Sequence, residues 1–322
     1  MPDLLNYKSN FLLCLKSGIQ RYDFEKMKYL LLLFLLIPAI RIEAQTAYQH
    51  ISDEGIYSFI DELATEQYID PLTAVKPYSR EQIALYLQEA MKQSASMSKP
   101  MQARLKMYVN EYALEAGNLK TGNLTLFKKD STLSLHLLPP ELAWNDGNFR
   151  ALLRPVYGIR YFSNSNASFY HSYGGLEGIA YYGKHWSAYA SLRDNHQSGE
   201  PLSLPTYFTT EPGGNYKNRT DYSEMRGGIT YTWKWGNLGL IKDHLEWGDN
   251  ANGSNILSGH SPSIAMIKLH LNPVKWLEFD YFHGWLVSQV IDSASSYTTS
   301  NGDFRAVFRP KYIASNIYTF KP

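Results

Sequence analysis

The sequence predicts a mainly β protein: a transmembrane antiparallel β-barrel, present in part, preceded by a small periplasmic helical domain. Three observations predict it. An export-type segment stands near the start, the stretch from Ser52 to Leu114 has a helical period, and beyond about Asp130 the period becomes two. With 44% hydrophobic and 19% charged residues, the chain is neither a disordered protein nor a charge-dense coiled coil. A formal net charge of +1 supplies no general pull toward nucleic acid, so no nucleic-acid partner is expected. Cys14 is the only cysteine, which rules out an internal disulfide and a cysteine-based zinc site.

Residues 1–44 read as an upstream extension plus a signal peptide. Tyr29 to Ile40 is mostly apolar but well short of the roughly 20 residues a spanning helix needs. Met27-Lys28 precedes the run, and Arg41-Ile42-Glu43-Ala44 supplies a small residue before a plausible cut at Gln45. Met27 is therefore the expected start. No cysteine follows the cut to carry a lipid anchor, and no later segment approaches a spanning helix. An exported chain of this kind is expected in the bacterial outer membrane, the periplasm or the medium, and the strand pattern favours the first.

The expected helical domain covers residues 45–128. Ile56, Phe59, Ile60 and Leu63 fall at i, i+3, i+4 and i+7, and Ile83, Leu87, Ala90 and Met91 repeat that stripe behind a Ser79/Gln82 capping box. Leu105, Tyr108, Val109 and Tyr112 form a third stripe after Ser98 and Pro100. Three short helices bury a thin core, so this unit is expected to lean on the strand-rich remainder of the chain.

Residues 129–322 are expected to form the N-terminal portion of the barrel. Met225, Ile229, Tyr231, Trp233 and Trp235 share one strand face, while Glu224, Arg226, Thr230, Thr232 and Lys234 share the other. Phe149 to Phe162 and His185 to Arg193 repeat the arrangement. All seven tryptophans lie beyond residue 130, many near predicted strand ends, as in the aromatic girdles of membrane barrels. A soluble β-sandwich or propeller with an aromatic core is the competing fold, and a soluble adhesin the matching function. Eight to ten candidate strands are counted, and the last shows no sign of ending the sheet. Because an open edge in lipid costs several kcal/mol per unpaired group, either a small barrel closes here or the chain is the front part of a longer one.

Three stretches carry a resemblance to a known family: Tyr57-Ser58-Phe59-Ile60-Asp61-Glu62-Leu63 with Lys76-Pro77-Tyr78-Ser79-Arg80; Lys242-Asp243-His244-Leu245-Glu246-Trp247-Gly248 running into Ser254 to Ser258 and Ser261 to Ser263; and Trp276 to Gly284. Together they resemble the capsule-assembly Wzi family of outer-membrane proteins, in its Bacteroidetes-type form. The resemblance implies a helical bundle at the mouth of a barrel of about eighteen strands. It also implies a non-enzymatic lectin that binds capsular polysaccharide and promotes its assembly at the cell surface. Its partners would be that polysaccharide and outer-membrane lipid, with no cofactor. Family members run longer, so the chain is expected to be truncated at its C-terminus. A porin-like channel is the alternative function.

Sugar binding calls for flat aromatic faces, amides and carboxylates in a cleft. Trp247, Asp249, Asn250, Asn252, Ser254 and Asn255 supply those types in one loop. The same residues also suit a simple turn with Trp247 anchored at the interface. Arg154, Arg160, Arg193, Arg226 and Lys234, inward by alternation, could draw an acidic polymer into the lumen. Glu177, Glu224, Glu278 and Asp280 would stand among them, and mixed charges often pair and plug a barrel. No Gly-x-Ser-x-Gly elbow and no His-Glu-x-x-His spacing occurs, so neither catalytic nor metal-ligating residues are expected.

Overall fold

The computed structural model describes residues 45–70, 72–116, 124–126, 132–137, 140–163, 165, 168–199, 214–216, 219–248, 253–259 and 261–321. The expected signal segment lies outside these. Three helices form where the apolar stripes predict them: α1 (Glu54–Thr65), α2 (Arg80–Lys92) and α3 (Lys99–Glu111). Ser79 Oγ accepts from Gln82 N at 3.0 Å, but the Gln82 side chain donates to Tyr86 OH, so only half of the expected capping box forms. Phe59, Ile60, Leu63, Ile83, Leu87 and Leu105 meet in one core. Met91 is a correction: it is 42% exposed, and Ala84 takes the buried place beside Leu87.

The strands in chain order begin with β1 (Val75–Lys76), β2 (Leu124–Leu126), β3 (Thr132–Leu137), β4 (Pro140–Asn145), β5 (Phe149–Ser163) and β6 (Ser168–Tyr182). Then come β7 (Trp186–Gly199), β8 (Gly214–Tyr216), β9 (Arg219–Trp233), β10 (Gly236–Asp243), β11 (Glu246–Trp247) and β12 (Leu257–Ser258). The last are β13 (Ile264–Val274), β14 (Leu277–Leu286), β15 (Tyr297–Thr298), β16 (Phe304–Arg305) and β17 (Lys311–Phe320). Twelve of them make one antiparallel sheet, ordered β17-β14-β13-β10-β9-β7-β6-β5-β4-β3-β2 with β8 beside β9. The protein is thus mainly β with antiparallel pairing. Among the described residues β17 pairs only with β14 and β2 only with β3, so the sheet does not close.

Alternation along the strands is inside-out for a protein in water. On β9, Met225 and Ile229 are each 57% exposed, whereas their neighbours Glu224 and Arg226 are buried. On β6 and β7, Leu176 and Leu192 face outward while Glu177 and Arg193 face in. Lys268 on β13 and Glu278 and Asp280 on β14 are also buried.

The two ends of the sheet differ. At one end the hairpins are tight: β6 to β7 through Gly183–His185, β9 to β10 through Lys234–Trp235, and β13 to β14 through Lys275–Trp276. At the other end β7 reaches β9, β10 reaches β13 and β14 reaches β17 through the long connections 200–218, 244–263 and 287–310, while β3 reaches β4 through 138–139 and β5 reaches β6 through 164–167. Aromatic rings gather at the tight end, where Trp186 meets Tyr231 at 5.0 Å, Trp233 meets Trp235 at 5.4 Å and Trp276 stacks with Phe320 at 6.4 Å. Toward the other end, His283 bridges Trp285 and Tyr312.

The polar face of the sheet is covered by the chain's own N-terminal stretch and helices. Gln45 Nε2 donates to the carbonyls of Gly183 and Trp186 at the tight end. Thr46 lies beside Thr232, Tyr48 OH donates to Asn237, and Arg193 Nη1 donates to Ser52 Oγ. Arg160 then holds Glu54 at the start of α1. Residues 45–54 therefore cross the sheet interior from the tight-turn end toward the long-loop end.

Candidate functional site

Of the five expected lumen charges, Arg154, Arg160, Arg193 and Arg226 stand on the sheet's polar face, which the N-terminal stretch and helices cover, and each is held by acids. Arg226 Nη2 donates to Glu177 at 2.6 Å, and its Nη1 to Asp243 at 3.3 Å and the Tyr48 carbonyl at 2.9 Å. Arg154 reaches Glu177 at 2.8 Å and Glu111 of α3 at 3.0 Å. Arg160 pairs with Glu54 and Arg193 with Asp53. Burial of such ions is tolerated only with partners of this quality, because desolvation costs several kcal/mol per ion. Lys234 is a correction: it stands in the two-residue turn after β9, exposed, where no alternation rule applies.

The helical stretch supplies most of the counter-groups. Arg80 lies fully buried, with its Nε on Glu115 at 2.6 Å and Nη1 on Gln49 at 2.7 Å, and Tyr181 of β6 donates to the same Glu115. In the sequence Arg80 belongs only to a helix cap, and nothing in its neighbours signals this role.

A cleft of about 210 Å³ opens among α1, the inner faces of β5, β6, β7 and β9, and the loop after β10. Tyr57, Tyr173, Tyr222, Arg160, Arg193 and Asn195 are among its walls. Apart from Tyr57, which is on α1, these residues lie on the long-loop half of their strands, and Glu54, Ser58 and Asp61 at the rim are exposed. Tyr173 is paired across the ladder with Gly158. A Cβ at Gly158 would come within 2.5 Å of the Tyr173 ring, so the missing side chain is what lets the ring lie down against β5. His171 Nε2 meets Asn195 Oδ1 at 3.0 Å beside it.

At the back of the cleft, His50 and His244 converge on Glu224. His50 Nε2 contacts Glu224 Oε1, and His244 Nε2 lies 2.9 Å from the same oxygen. All three are buried, and their ligand atoms are close enough together for a metal ion. The far ring nitrogens discriminate. His244 Nδ1 faces the Ser261 carbonyl at 3.0 Å, so it carries a proton and leaves Nε2 suitable for either a metal or a second proton. His50 Nδ1 instead accepts from Ser52 N at 2.9 Å, which puts the ring proton of the neutral imidazole on Nε2, facing Glu224. The set therefore fits proton-mediated bonds better than ligation. Burial lowers the His50 pKa, helped by Arg193 and Arg226; burial works the same way on His244, yet the bond and charge of Glu224 raise it.

The expected glycan loop is built differently. Trp247 is a correction: it is fully buried, paired with Val75 on β1 and packed edge-on against Phe282 at 5.0 Å. It offers no face to a sugar and does not anchor at an interface, because β1 from the helical stretch covers it. Ser254 Oγ is spent on Glu246 and the Gly248 carbonyl. Asn255 is exposed and sits against Gly248, whose φ of +104° and missing Cβ the turn requires. Asp249, Asn250 and Asn252 lie outside the described residues. The flanks of this loop, His244, Glu246, Ser258 and Gly259, do reach the cleft wall. The sequence pattern did not reveal the cleft itself, although period-two counting from Glu177 through Tyr173 to His171 would have turned Tyr173 inward.

No family model, no curated protein and no solved structure matches this chain.

Proposed function

We propose that the chain is a non-enzymatic outer-membrane lectin of the capsule-assembly Wzi type. In this reading the sheet is part of a lipid-embedded barrel, and the cleft holds capsular polysaccharide at the cell surface. The observation that carries the reading is the inside-out sheet: exposed Leu, Ile, Met and Tyr alternate with buried Arg, Glu, Lys and Asp along successive strands. In water each outward aliphatic would forfeit about 1.5–3 kcal/mol of burial. In hydrocarbon the pattern is the required one.

Two further features support it. Only short turns at one end, and three long connections beside two short ones at the other, are consistent with the periplasmic and extracellular ends of outer-membrane barrels. Trp276, in the turn that enters β14, and Trp285 on β14 stand about 30 Å apart along the strand direction, or about 23 Å once tilted by ~40°, close to the lipid-facing band of such barrels. The cleft then faces outward, where a surface polymer would be. Residues 45–54 and the helices lie along the sheet's polar face and not at the periplasmic mouth that the resemblance implies; in this reading they occupy the lumen, which suits a lectin and disfavours an open channel.

The test is retention of purified capsular polysaccharide by the protein in outer-membrane vesicles, with conductance measured in planar bilayers. Retention with no large ohmic steps is expected. Large steps without retention would overturn the lectin in favour of the porin-like alternative.

A further inference from the structure

We propose that the cleft beside α1 takes a neutral, hydroxyl-rich sugar unit rather than an acidic one, an inference that rests on the lectin reading. The charge arrangement carries it. Three cations of the wall, Lys76, Arg160 and Arg193, stand with three acids, Glu54, Asp61 and Glu246. Arg160 is 3.2 Å from Glu54, and Lys76 lies within 4.0 Å of Asp61 and 3.5 Å of Glu246. Arg193 turns instead to Asp53, at 3.4 Å, and to Ser52. Behind them Glu224 is matched by His244 and His50. The arginines expected to attract an acidic polymer are thus already compensated.

A uronate entering this cleft would have to displace an acid from its cation or sit beside it, and like charges so close are repulsive in a partly dry site. A neutral sugar meets no such conflict. Each of its hydroxyls donates and accepts, and Arg193, whose buried Nε has no hydrogen-bond partner among the described residues, stands with the half-buried Lys76 and Glu246 to supply donors and lone pairs for both roles. Tyr173, laid against Gly158 and half-buried, adds apolar surface for the ring's C–H groups. The small volume fits one or two rings of a polymer, so tight retention would come from many such contacts along a chain.

The test uses the full chain in detergent on a printed array of neutral and of uronate-containing oligosaccharides. Neutral glycans are expected to be retained, with little effect of salt, and uronates not. Tyr173→Ala should weaken retention by about tenfold, a change worth about 1.4 kcal/mol, while Tyr173→Phe stays close to wild type. Ser58→Trp, at an exposed position on the rim, should block the cleft without disturbing any core. Retention of uronates alone would overturn the neutral assignment and leave the lectin reading standing. Neutral retention untouched by both Tyr173→Ala and Ser58→Trp would overturn the cleft as the site. Retention of no glycan of either kind would bring down the inference and the lectin reading together.

Discussion

Arg226 on β9 donates to Glu177 on β6 at 2.6 Å although strand β7 lies between them, so the pair bridges over β7 on the sheet's inner face. Both residues are almost completely buried, and Arg226 also serves Asp243. The bond ties three strands and, through the Tyr48 carbonyl, the N-terminal stretch.

Arg226→Met would leave Glu177 with Arg154 alone and Asp243 without its cation. Removing one member of a buried pair of this kind costs about 3–5 kcal/mol. The denaturant midpoint of the detergent-solubilised protein should fall accordingly, while Arg226→Lys, which keeps the charge but not the fork, should fall between.

Trp247 is structural, so Trp247→Ala should lower stability by about 3–5 kcal/mol and Trp247→Phe by much less. Glycan retention per folded molecule should stay unchanged in both. A selective loss of retention in a stable Trp247→Phe protein would contradict a purely buried, packing role for this ring.

Trp235, Trp276 and Trp285 are 48%, 55% and 42% exposed, and Trp247 is at 0%. Single-tryptophan variants reconstituted with brominated lipids should show quenching for the first three and protection for Trp247. Equal protection of all four would argue for a particle dissolved in water.

Glu81 on α2 is pushed up to about 8, first by burial and then by Glu115, against a backbone hydrogen bond from Gln45 and the charge of Arg150. A folded-state pKa above the unfolded value means the native state keeps its proton longer. The associated stability is complete below about pH 4.5 and is lost as pH rises toward 8. Glu81→Gln should remove that part of the slope in thermal unfolding recorded across this window.

Because His50 Nδ1 accepts a backbone N–H, its Nε2 proton faces Glu224. Chelator treatment should therefore leave the melting temperature in place, and added zinc should not raise it. A zinc-dependent rise abolished by His244→Ala would assign the cluster to a metal instead.

Much of the secondary structure was legible because each element announces itself locally. The α1 stripe of Ile56, Phe59, Ile60 and Leu63 is buried as its period requires, and Arg154, Arg160, Arg193 and Arg226 turn inward by simple alternation. Local rules failed where a residue's surroundings come from far along the chain. Trp247, amid Gly, Asn and Ser, reads as a loop residue, yet β1, some 170 residues earlier, covers it. The Ser79 cap formed, while the Gln82 side chain turns along the helix to donate to Tyr86 and does not reach back to Ser79.

The amino-acid order alone determined which face of each strand is greasy and which is charged, since side-chain direction in a strand depends only on parity. Only the tertiary structure decided what those charges meet. His50 reaches Glu224 across 174 positions and Arg193 reaches Ser52 across 141, separations that no local period encodes. Pairing of that kind is set by the ladder register and by the path of residues 45–54 over the inner face, which brings together groups that have no neighbourhood in the sequence.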